Sequence, residues 1–350
     1  MGRIVVITGG TSGIGLKLKE LFEKAGDTVL TFSLDETGAS NHYQGSVDHE
    51  IKVKQVFNDI HERFGKIDIL INSAGIGMSA ITEVAPMDEI KRVMDVNFYG
   101  TLYCTRSALQ FMSKGAKIIN MSSAMALFPV PFRSIYGSAK SAVLNLSFAL
   151  RMELAPHGID VIAMCPGDTK TNFTKSRVKD FSTTERYGDR LETATLSSDA
   201  NEDKRMSVDY VAETIFNLLG KKKSKPFYII GGKYKMLYFL TRLTPKSLLL
   251  NATNKRKGGK IVKVEEKPKK EKKAPAPKET IAEVKEVSEV QPEIQNTPVE
   301  NVNTTNPNLE DTTSEETTTN DTPKKDLNSI LSKISILNKP TENNEEDKQG

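Results

Sequence analysis

The chain has 350 residues, of which 37% are hydrophobic and 27% charged, with a formal net charge of +4. The charge is too small to mark a nucleic-acid binder, and the apolar fraction is low for a chain folded throughout. The apolar residues concentrate in the first 250 positions, so a single folded domain with a polar appendage is expected rather than two equal domains.

The apolar run at residues 4–7 is too short for a signal peptide or a membrane span, and reads as a buried strand. Gly2 does not open a myristoylation motif, because position 6 is Val6 rather than Ser or Thr. After the first strand comes Thr8-Gly9-Gly10-Thr11-Ser12-Gly13-Ile14-Gly15, followed by a helical stripe over 14–25. A glycine-rich turn between a strand and a helix is the setting in which backbone amides meet a pyrophosphate. Gly9 is read as the tight turn, Gly13 as the close approach and Gly15 as the helix–sheet contact. Thr11, Ser12 and Ile14 complete the segment that faces the cofactor. Further strands are expected at 28–32, 67–71, 117–119, 160–163 and 227–230, and helices at 50–64, 87–113 and 135–155. This alternation predicts an α/β fold, a doubly wound parallel sheet of the Rossmann kind.

In such a sheet, ligands bind outside the carboxyl ends of the strands. Gly9, Asn72, Ser123 and Pro166 each follow a predicted strand, so all four are expected along one edge. Tyr136 and Lys140 lie four apart on a predicted helix and share a face. Cys104 and Cys165 have no metal or redox spacing and read as small buried hydrophobes, with no metal site expected.

Taken in order, these motifs resemble the short-chain dehydrogenase/reductase family in its short single-domain branch. The resemblance rests on the glycine turn, Asn72-Ser73-Ala74-Gly75, Asn97-Phe98-Tyr99-Gly100, Met121-Ser122-Ser123, Tyr136-Gly137-Ser138-Ala139-Lys140 and Pro166-Gly167-Asp168-Thr169-Lys170-Thr171. It covers about residues 1–232, and it implies an NAD(P)-dependent oxidoreductase acting on a ketone or secondary alcohol. Tyr136 would be the proton donor and Lys140 the ammonium that favours its phenolate and binds the nicotinamide ribose. Ser123 would hold the substrate oxygen, and Asn97 would support a proton path to the lysine. Ser123 is preferred to Ser122 because it lies at the family's spacing before Tyr136. Ala74, Gly75, Asn72, Pro166, Gly167, Thr169 and Thr171 would line the cofactor. Ser33 stands where NAD-preferring relatives place an acid, and Leu34 and Ser12 where NADP-preferring ones place a base. The cofactor expectation therefore leans to NADP over NAD, with Asp35 able to reverse it. Ser46 and Val47 replace the usual adenine contact.

The substrate wall is expected from 124–135 and from the segment after Thr171. The wall is uncharged as far as Arg133, which implies an apolar or lipid-like substrate. The polar stretch 172–206 resembles a lid. Residues 233–254 form an apolar and basic extension, read as a peripheral membrane contact, a subunit interface or a cover for the cleft. The tail, 255–350, is expected to be disordered, with a short apolar helical pattern at 327–337. A cytoplasmic homo-oligomer is the default expectation. The alternative function is a catalytically silent nucleotide-binding scaffold that recruits partners through its tail.

Overall fold

The β-branched run Ile4-Val5-Val6-Ile7 shows no polar alternation because both of its faces are covered. In a computed structural model, which describes residues 2–259 apart from 175, 201–204 and 222, it forms β1 (Ile4–Thr8). The other strands of the main sheet are β2 (Thr28–Ser33), β3 (His42–Gln44), β4 (Ile69–Asn72), β6 (Lys117–Met121), β7 (Asp160–Pro166) and β9 (Phe227–Ile230). A separate pair joins β5 (Met78–Ser79) to β8 (Val178–Lys179). The main sheet is parallel throughout, in the order β3-β2-β1-β4-β6-β7-β9. The chain winds outward from β1 to β3, then returns to place β4 on the other side of β1. The order reverses between β1 and β4, and the crevice for a ligand opens there.

Alternate residues of β1 feed two cores. Ile4 and Val6 face α2 (Glu50–Phe64), through Val53, Phe57 and Ile60, and α4 (Gly100–Leu109), through Cys104 and Ala108. Val5 and Ile7 face α1 (Gly13–Lys24), through Leu18 and Phe22, and α7 (Val208–Leu219), through Val211 and Ile215. Both cysteines are free and buried. The expected doubly wound fold is the observed one.

Three elements depart from expectation. Strand β3 carries no apolar run, and it is held at the sheet edge by its pairing with β2 and by the Thr31 hydroxyl against His42 Nδ1 at 2.8 Å. The expected helix 87–113 is broken into α3 (Met87–Met94), a π-helical turn (Asp95–Tyr99) and α4. The cause is Asn97, whose side-chain amide donates to the Val93 carbonyl at 2.8 Å and disturbs the local ladder. The polar stretch 172–206 contains β8 and α6 (Arg190–Asp199).

Helix α5 (Ser134–Leu154) follows β6, and two helices follow β9, α8 (Gly232–Leu243) and α9 (Lys246–Lys257). Pro245 starts α9, and no residue inside it breaks the helix, so it passes three residues beyond the expected boundary at 254. The remaining tail expectations, including the pattern at 327–337, fall outside the described residues. Among the described residues no helix is long and apolar enough to cross a membrane.

Candidate active site

The loop after β1 is fixed by what its glycines leave out. Gly9 has φ +66° and Gly13 φ +53°, the left-handed region where side chains are strained. A β-carbon on Gly15 would stand 2.3 Å from the Gly9 carbonyl oxygen, so only glycine lets α1 begin this close to the turn. The Thr8 hydroxyl accepts the backbone N–H groups of Ser73 and Ala74 at 3.1 Å each, which ties the loop after β4 to the first turn. The result is a cradle at the N-terminus of α1, lined by Gly9, Ser12, Gly13, Ile14, Gly15, Ala74 and Gly75. A dinucleotide phosphate fits this cradle, since the amides and dipole of α1 face it.

The cradle is one end of a cleft of about 360 Å³. The same cleft is lined by Ser123, Tyr136 and Lys140, brought there by β6 and α5. Ser122 and Ser123 are separated by geometry. The Ser122 hydroxyl donates to the Lys140 carbonyl at 2.8 Å and serves packing. The Ser123 oxygen accepts the Met125 N–H at 3.1 Å, capping a short turn, and its hydroxyl faces the Tyr136 phenol. Lys140 is 5% exposed and donates from Nζ to the Met121 carbonyl at 2.9 Å. Burial pulls its pKa down to about 8. Burial also pushes Tyr136 up to about 12, against the lowering effect of the Ser123 hydrogen bond and of the Arg177 and Arg133 charges. The cation expected to lower Tyr136 was Lys140. Its Nζ lies 5.9 Å from the phenol ring centroid.

Asn97 is fully buried in the π turn. Its amide donates to the Ile76 and Val93 carbonyls at 2.8 Å, and its Oδ1 has no partner among the described residues. A β-carbon on Gly75 would meet that oxygen at 2.7 Å and Lys140 Nζ at 3.2 Å. Asn97, Gly75 and Lys140 therefore converge on one point. Asn72 lies behind the cleft, not on it. Its amide donates to Thr105 Oγ1 at 3.1 Å and to Asn120 Oδ1 at 2.9 Å, bracing β4 against β6. Thr11 donates to the Asp35 carboxylate at 2.5 Å, and the buried Ser33 hydroxyl has no partner among the described residues. Pro166, Gly167, Thr169 and Thr171 line the cleft after β7.

Two features go beyond the motifs, the first of them among the alternatives expected for residues 233–254. Tyr234 of α8 fills the space above Gly167, where a β-carbon would lie 1.9 Å from its ring, and its hydroxyl accepts the Asp168 N–H at 3.1 Å. The extension thus forms part of the cleft wall. The second feature corrects the expectation of an uncharged substrate wall. Met125, Phe128, Val130 and Phe132 do line the cleft, but Arg133 and Arg177 stand among them. Neither signal was local, since Arg177 lies 41 positions beyond Tyr136 in a segment without periodicity.

Comparison with known proteins bears on this site. A family model described as short chain dehydrogenase matches residues 3–181. A 3-ketodihydrosphingosine reductase of Bacteroides thetaiotaomicron is 33% identical over 180 residues, 50% of this chain and 67% of that protein. A probable short-chain type dehydrogenase/reductase, VdlC, of Helicobacter pylori is 31% identical over 257 residues, 70% of this chain and 94% of that one. Among solved structures, ElxO with NADP bound is 26% identical with a TM-score of 0.55, covering 67% of this chain and 100% of that one.

Proposed function

The chain belongs to the short-chain dehydrogenase family and is an oxidoreductase of that kind, and from this premise we propose that it reduces a ketone on an apolar, lipid-like body, or oxidises the matching secondary alcohol. The observation that carries the proposal is that Ser123, Tyr136 and Lys140 line the same cleft as the glycine cradle. A bound nicotinamide dinucleotide supplies or accepts the hydride. Gly9, Ser12, Gly13, Ile14 and Gly15 would hold its phosphates, and Ala74, Gly75, Pro166, Gly167, Thr169 and Thr171 would flank it. Negative charge grows on the ketone oxygen as hydride arrives. Ser123 orients that oxygen by donating to it, and Tyr136, protonated at neutral pH, delivers the neutralising proton. Lys140 stabilises the phenolate left behind, and Asn97 holds the path by which a proton returns. The apolar wall and the relative named for a 3-keto compound support the substrate class. The silent-scaffold alternative has no observation in its favour. The test is loss of reduced-nicotinamide absorbance over a panel of short and long ketones, with Tyr136→Phe beside the intact protein.

NADP is the favoured cofactor, because Ser33 puts no carboxylate at the ribose position and Asp35 is engaged by Thr11. Asp35 still lies close enough to repel a 2′-phosphate. Asp35→Ala is expected to improve NADPH affinity about fivefold with NADH little changed, the size of one screened charge. Equal affinities before and after would remove Asp35 from cofactor choice.

A peripheral membrane contact is proposed for α8 and α9. Met236, Phe239, Leu243 and Leu248 are each more than half exposed, with Lys235, Arg242 and Lys246 beside them. An apolar face rimmed by cations suits an anionic lipid surface. The protein is expected to sediment with phosphatidylserine vesicles and to be released by Phe239→Glu. Unchanged sedimentation of that variant, or self-association through the same face in light scattering, would point instead to a subunit contact.

A further inference from the structure

Arg133 is 6% exposed, and among the described residues no carboxylate lies within ion-pair distance of it. Among the described residues its guanidinium makes one hydrogen bond, a long one of 3.4 Å to the Met78 carbonyl. A buried guanidinium with five donors and so little acceptance is costly unless a ligand completes it. The backbone beside it is also under strain. Phe132 has φ +62°, in the left-handed region that a bulky side chain rarely adopts. Such strain persists where surrounding structure holds a side chain to a task.

Arg133 does not stand alone. Arg177 also lines the cleft, and its carboxylate partner, Asp199, is shared with Lys179 and Arg205, three cations on one acid. Lys233, Arg256 and Lys257 also line the cleft, from α8 and α9, and Asp168 is the single carboxylate among its lining residues. The pKa of Lys257 is pulled down by burial and by the nearby Arg256, Lys233 and Arg133, so these charges feel one another across the cleft. Arg133 and Arg177 also act on the Tyr136 hydroxyl, and both line the cleft with it.

We propose that Arg133 and Arg177 form an anion subsite, and that the substrate is a carbonyl compound whose apolar body carries a carboxylate or phosphate head. The planar guanidinium fork suits either head, binding through paired hydrogen bonds. Met125, Phe128 and Phe132 receive the chain of the same molecule. This deepens the ketone-reductase reading and rests on it.

The test has a binding arm and a turnover arm, both with the intact chain. With the nucleotide site saturated by NADP, calorimetry compares hexanoate, hexyl phosphate and neutral hexanamide. Each anion is expected to bind at least about tenfold tighter than the amide. Arg133→Gln and Arg177→Gln are each expected to erase that preference while NADP affinity holds. Arg177→Gln carries the test if Arg133→Gln does not fold, since Arg177 is anchored at the cleft wall and not at the start of α5. Equal binding of hexanoate and hexanamide, or a preference that survives both variants, overturns the subsite. Turnover of 5-oxohexanoate and of its methyl ester then separates the two readings. Reduction of the ester alone leaves the reductase and removes the anion subsite. Anion-selective binding with no ketone reduced leaves an anion pocket and removes it as a reductase's substrate site. Preferential reduction of the acid, lost in the arginine variants, is the expected result.

Discussion

Tyr136→Phe is expected to lose about 10³-fold in reductive turnover while keeping its cofactor affinity. The phenol proton is the one being delivered, and burial keeps it on the oxygen by raising the pKa to about 12. Phenylalanine keeps the ring and its packing on Phe173, with centroids 5.6 Å apart, so the cleft wall stays in place. The loss is therefore expected in kcat with little change in thermal midpoint. Fluorescence titration with NADPH, run beside the turnover assay, checks the cofactor site. Retention of a tenth or more of the turnover would reassign the proton to another donor.

Lys140→Met is expected to lower kcat/KM about 10²-fold or more and to remove a pH dependence. In the parent protein Lys140 passes from cation to amine near pH 8. Reductive kcat/KM is expected to be level below that pH and to fall above it, whereas the variant's profile stays flat. Stability follows with a definite sign. Below about pH 8 the lysine is charged in both folded and unfolded states, and the burial penalty is complete. Between about 8 and its unfolded value of 10.5, the folded chain has lost the proton and the unfolded chain has not. The unfolded state then binds more protons, so the Lys140 contribution to stability rises with pH. Urea midpoints of parent and variant at pH 7 and 9.5 measure this as a difference, which cancels the other titrating groups. A parent that gains nothing on the variant over that interval would mean Lys140 is not depressed.

The sequence determined the sheet and its active edge. Runs such as Ile4-Val5-Val6-Ile7 can only be strands covered on both faces, and Gly9, Gly13 and Gly15 mark a turn where a β-carbon would collide or strain the backbone. Ser123, Tyr136 and Lys140 were legible as residue type, spacing and position after a strand or on a helix face. What the sequence left open is non-local. The π turn at Asn97 arises from one side chain competing for the Val93 carbonyl inside a pattern that reads as unbroken helix. Asn72 looked like a cleft residue by position, but its amide is taken by Thr105 and Asn120 from α4 and β6. Tyr234 over Gly167, and the gathering of Arg133 and Arg177 beside Tyr136, join segments far apart in the chain. Charge is written in the sequence residue by residue, but its field at a site depends on which loops fold together and how much water they exclude. The tertiary structure alone decided that a wall expected to be apolar is also cationic.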